Sequence, residues 1–149
     1  MSGRTPPRPR DDLGRPLPAD ADVAIEPDPQ PLPPAETLDL AQQLLDAGRA
    51  FRAHEVFEAR WKAVTGAERD LWRGLAQVAV AITHAQRGND RGRVSLLTRA
   101  AVTLAPWENE RPYDVDVAAI RAWAIAGCDG QETVQQLMSS LPRLVSGRG

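Results

Sequence analysis

Prolines crowd the front of this chain. Ten of the thirteen lie within residues 1–34, at Pro6, Pro7, Pro9, Pro16, Pro18, Pro27, Pro29, Pro31, Pro33 and Pro34. A proline ring fixes φ and removes a backbone donor, so a stretch this dense forms neither helix interior nor sheet. Large apolar residues are few there, chiefly Leu13, Leu17, Val23, Ile25 and Leu32. Burying so little surface does not offset the entropy of ordering the chain, and residues 1–34 read as a disordered Pro-rich tail. The expectation is then a single folded domain over residues 35–149, a usual size for one core.

After Pro34 the pattern becomes helical. Leu38, Ala41, Leu44 and Leu45 recur at three- and four-residue spacing, and Gly48 stands where a C-terminal cap belongs. A second helix is expected from about Arg52 to Val64, with Val56, Phe57, Trp61 and Val64 turned inward and Thr65-Gly66 ending it. The third, about Glu68 to Arg87, is the most apolar. Leu71, Trp72, Leu75, Val78, Ala79, Val80 and Ile82 cover most of its circumference, which predicts a central helix. Its small residues, Gly74 among them, allow close approach. Gly88-Asn89 forms a turn, and Asp90 is a plausible cap for a fourth helix running to Pro106. Trp107–Pro112 reads as a loop. Asp114 or Asp116 caps a fifth helix ending at Gly127, and a short sixth spans about Gln131 to Leu141.

No run alternates with period two for long enough to suggest a sheet. The predicted fold is therefore all-α, an irregular bundle of five to six helices in antiparallel hairpins.

Charge narrows the partners. The tail to Ala35 carries four arginines and six acids, so the remainder holds fourteen bases and fourteen acids. A neutral domain lacks the basic footprint of a general nucleic-acid binder. Arg87, Arg91, Arg93 and Arg99 read as scattered charges on a solvated face, and Trp72, Trp107 and Trp123 as core or rim. One cysteine, Cys128, allows no intramolecular disulfide and suits a reducing compartment. With no signal peptide and no apolar run long enough to span a bilayer, the expected location is cytoplasmic, without membrane partners. A homo-oligomer is compatible with the composition.

The chemistry-bearing residues gather on two helices. His54, Glu58 and Trp61 lie four and three residues apart and share one face of the second helix, with Glu55 about a quarter turn away. On the third, Arg73, Gln77 and His84 fall near one line and interrupt its apolar surface. Polar groups placed there need hydrogen bonds, since an unmade one costs about 1–3 kcal/mol. The expectation is a buried or semi-buried cluster of His54, Glu58 and Gln77 with Arg73 or His84.

Three readings fit such a cluster. It can be a polar network that only fixes helix packing, as in a structural or protein-interaction module. It can bind a divalent metal (zinc, iron or manganese) through His54 and Glu58, with His84 as a third ligand. It can be a small-molecule or hydrolase-like site in which Glu58 and His54 act as acid and base. The string HEVFE at 54–58 is not the metalloprotease HExxH, because its last residue is Glu58. No nucleophile is evident, and no phosphate-binding glycine loop.

The string HEVFEARW (His54–Trp61), followed by RGLAQVAVAITHAQRGN (Arg73–Asn89), resembles the DUF309 family of small all-α proteins. That family's mark is His-x-x-x-Glu-x-x-Trp/Tyr, then a Gly-Leu-Ile-Gln-like segment, a later His, and Gly-Asn before the next helix. The resemblance spans about residues 40–105. It implies a motif of His54, Glu58 and Trp61 with Gly74, Gln77, His84 and Asn89 as supporting positions, and a metal at the His/Glu pair. Ala76 stands where the family commonly has Ile. The resemblance implies no reaction.

Overall fold

The computed structural model describes residues 27–129 and 132–145. Six α-helices account for most of them: α1 Pro34–Asp46, α2 Ala50–Ala63, α3 Glu68–Gln86, α4 Asp90–Leu104, α5 Val117–Ala126 and α6 Val134–Ser140. No strand is present among the described residues; an isolated antiparallel bridge joins Val115 to Val145. The all-α bundle is as the periodicity predicts.

The expected disorder of residues 1–26 lies outside the described residues. Residues 27–33 have no regular structure but touch the bundle. Arg52 donates to the Pro27 carbonyl at 2.8 Å, and Arg60 to that of Leu32 at 3.3 Å. Pro34 then opens α1, where a missing N–H costs nothing.

Helix ends follow local chemistry; α2 begins at Ala50 rather than about Arg52, α6 at Val134 rather than about Gln131, and one cap differs from expectation. The cap of α4 is Asn89, not Asp90: Oδ1 of Asn89 accepts from the Gly92 N–H at 3.0 Å. Asp116 caps α5 through Ala119, and Thr133 with Gln136 forms a reciprocal capping box at α6. The loop after α4 contains two tight 3-10 turns, Ala105–Trp107 and Pro112–Asp114.

Helix α3 is central, as its apolar circumference requires, and packs on α2, α4 and α6. Leu71, Trp72 and Leu75 are fully buried on it. Gly74 explains how closely α4 approaches: a Cβ there would stand 2.5 Å from Cδ2 of Leu104. The core continues through Leu97, Leu104, Ile120 and Leu137, so the C-terminal helices share one interior with the rest.

Arg93 departs from the solvated-face reading. Its side chain is only 2 % exposed, and Nη1 donates to the Glu132 carbonyl at 3.2 Å. Its aliphatic stem fills core space beside α6 while the head finds a backbone acceptor. Arg87, Arg91 and Arg99 are exposed as expected.

Candidate functional site

The α2–α3 hairpin sets the geometry. Phe57 stacks on Trp72 with ring centroids 6.5 Å apart, Arg60 pairs with Glu68 at 3.0 Å, and Gln86 donates to the Gly48 carbonyl at 3.0 Å. These contacts define an antiparallel register. Trp61 and Arg69 meet along the outer edge of the same hairpin, the guanidinium 5.6 Å from the ring centroid. Followed back along α2, the register brings Glu58 level with the Trp72–Arg73 turn of α3 and His54 level with Ala76–Gln77. On a helical wheel Arg69, Arg73, Gln77 and His84 share the α3 stripe beside that edge. The two polar stripes therefore flank the shallow groove that two packed helices leave along their seam.

Within α2 the expected pair is made. Nε2 of His54 lies 3.4 Å from Oε2 of Glu58, one helical turn on. The side chains are 18 % and 33 % exposed, so they line a groove wall rather than the core or open water. Lys62 approaches the other Glu58 oxygen at 3.4 Å, and the Phe51 ring tilts against His54 with centroids 5.3 Å apart. Glu55 faces away and pairs with Arg52 at 3.2 Å.

Nδ1 of His54 and Oε1 of Gln77 are buried with no hydrogen-bond partner among the described residues, as is Nε of Arg60 on the far edge of the hairpin. A neutral imidazole whose Nε2–H faces a carboxylate presents Nδ1 as an acceptor. The amide oxygen is an acceptor as well.

The remaining expected members sit elsewhere. Arg73 is exposed and makes no hydrogen bond or ion pair among the described residues. His84 belongs to the α3–α4 turn: its Nδ1 lies 3.1 Å from Nδ2 of Asn89. Burial, reinforced by the nearby Arg87 charge, holds its pKa below the usual histidine value. A Cβ at Gly92 would stand 2.5 Å from His84 Nδ1, so only glycine lets α4 start this close. The predicted four-residue cluster is thus reduced to a His54–Glu58 pair with Gln77 across the groove, and His84 and Asn89 form a separate turn-locking pair. Among the described residues no group of three or more His, Cys, Asp or Glu could hold a metal ion.

Residues 38–96 match the family model described as a domain of unknown function (DUF309). No curated protein and no solved structure is similar enough to the chain to match it. The DUF309 segment contains α2, α3 and their groove, and it ends inside α4. No helix is long and apolar enough to cross a membrane among the described residues.

One cluster was not foreseen from sequence. Oε1 of Glu68 accepts from Arg60 at 3.0 Å, Trp72 Nε1 at 3.1 Å and the Tyr113 hydroxyl at 2.8 Å. Burial alone would raise the Glu68 pKa, but these three donors outweigh it and hold the carboxyl below its ordinary value. The Tyr113 phenol is pushed up, first by its bond to Glu68 and then by burial. Its ring stacks on Trp72 at 5.8 Å. Glu68 and Trp72, four apart on α3, were a visible pair; Tyr113 comes from beyond the DUF309 segment and left no signal.

Proposed function

We propose that the DUF309 domain is a binding module whose α2–α3 groove takes a small ligand carrying hydrogen-bond donors. The observation that carries this reading is the partnerless Nδ1 of His54, buried while Nε2 is engaged by Glu58. Gln77 Oε1, a second buried acceptor at the same level, supports it. A buried acceptor left unmade costs about 1–3 kcal/mol, and a ligand N–H or O–H placed between the two recovers that cost.

The donor set suits such a ligand better than a resident metal. Zinc takes at least three protein ligands even where one position is left open. His54 and Glu58 supply two, and His84 is bonded to Asn89.

The test is native mass spectrometry of protein purified without an affinity tag, alongside His54→Ala and Gln77→Ala. A small-molecule adduct on the wild type that both variants lose is the expected result. An adduct retained by both variants, or none on any of the three under conditions that keep the fold, leaves the pair with a packing role only and ends the proposal.

A further inference from the structure

A concavity away from the α2–α3 hairpin takes six of its nine lining residues from outside residues 38–96. It has a volume of about 440 Å³ and opens between α1, the Pro112–Asp114 turn and the chain after α6. That volume is in the range of small-molecule sites. Leu38, Asp39 and Gln42 of α1 face Tyr113, Asp114 and Leu144 across it.

The backbone at its rim is unusual. Tyr113 and Asp114, consecutive and neither of them glycine, both have positive φ, at 54° and 64°. Such conformations cost free energy and persist only where the surroundings hold them. Here the Glu68 bond and the Trp72 stack hold Tyr113, whose side of the turn contributes to the cavity wall.

The charges of the wall decide what could enter. Arg143 lines the cavity, but its guanidinium is committed to Asp46, with both carboxylate oxygens within 3.2 Å. The Gln42 side chain is committed as well, Oε1 accepting from the Leu144 N–H at 2.9 Å and Nε2 donating to Asp46. Asp39 is different: it makes no hydrogen bond or ion pair among the described residues. Asp39, an exposed carboxylate with no bond among the described residues, therefore stands at the cavity rim beside the edges of Leu38 and Leu144 and the half-exposed Tyr113 ring, whose other neighbour is Trp72.

From this we infer that the cavity binds a small organic cation, an ammonium on an apolar body. Asp39 pairs with the ammonium in a charge-assisted hydrogen bond. The Tyr113 face offers a cation–π contact, and Leu38 and Leu144 take the apolar part. The site is independent of the α2–α3 groove, since it shares no residue with it.

Benzylamine is the probe and benzyl alcohol its uncharged counterpart, measured by calorimetry and thermal unfolding on the full chain. At roughly tenfold excess over its Kd, benzylamine should raise Tm by about 5 °C, and benzyl alcohol should leave it unchanged. Asp39→Asn, at an exposed position with no bonds to lose among the described residues, should keep the Tm of the free protein and weaken benzylamine at least about tenfold. His54→Ala should bind benzylamine as the wild type does. No benzylamine binding, equal binding of the alcohol, or undiminished binding by Asp39→Asn would each overturn the inference.

Discussion

Nδ2 of Asn89 donates to Nδ1 of His84 at 3.1 Å, because the other end of the same amide, Oδ1, is occupied as the N-cap of α4. The cap therefore dictates the histidine tautomer: Nδ1 must accept, and the ring must be neutral.

Protonating His84 places a hydrogen on Nδ1, facing the amide donor. The turn must then lose either the histidine contact or the helix cap. His84 has a pKa below the ordinary histidine value of 6.5, so the unfolded chain binds a proton more readily than the folded one. Its stabilising contribution is present above pH 6.5 and is lost as pH falls through the folded value. Thermal unfolding between pH 7.5 and 5.5 should show a declining Tm that is flatter in His84→Gln. An unchanged slope would show that the ring is not coupled to folding.

Glu68 gives a second and lower window. Its carboxyl is held below 4.5, so its contribution is present above that pH and disappears as pH falls further. Tyr113→Phe removes one of its three donors. A hydrogen bond to a charged group is worth about 1.5–3 kcal/mol, and partial exposure of both groups lowers the expected loss to about 1 kcal/mol. Denaturant unfolding at pH 7 reads that loss directly. As pH falls through the folded value of Glu68, the wild type and Tyr113→Phe should converge.

Gly74→Ala sets helix propensity against space. Alanine gains about 1 kcal/mol over glycine within a helix. The new Cβ meets Leu104 at 2.5 Å, and Leu104 is fully buried with little freedom to move. Overpacking of this kind costs about 1–3 kcal/mol. Net destabilisation is expected, smaller than the clash alone would give, and equilibrium denaturation decides the sign.

At the groove, Glu58→Gln should cost under about 1 kcal/mol, since the carboxylate is one-third exposed and both its contacts are 3.4 Å long. Added Zn²⁺ or Mn²⁺ should leave the Tm of the wild type unchanged. A rise that His54→Ala abolishes would restore the metal reading.

Local pattern carried most of what the sequence disclosed. Apolar spacing located all six helices, because a helix that buries one face must repeat near 3.6 residues. The His54–Glu58 contact was legible for the same reason, four residues being one turn. Distant partners were not. Arg93 looks like any surface arginine until the Glu132 carbonyl, 39 residues later, covers its head. Tyr113 reaches Glu68 across 45 residues, and the Pro112 turn that carries it has no periodicity to read. Arg73 and His84 share a stripe with Gln77, yet the stripe lies along a groove edge. Exposure frees Arg73, and a neighbouring turn captures His84. Spacing alone does not tell a groove edge from an interface.

The closeness of α3 to α4 at Gly74 bears on where this domain can be cut. The family match stops at residue 96, inside α4, whereas the side chain that fills the space over Gly74 belongs to Leu104. A fragment trimmed to the matched residues would leave that glycine facing solvent across an unroofed hydrophobic seam, with Leu71 and Leu75 on the same helix stripped of distant neighbours. The recognisable segment and the smallest self-supporting unit are different lengths of chain, and expression boundaries drawn at the former should yield aggregates.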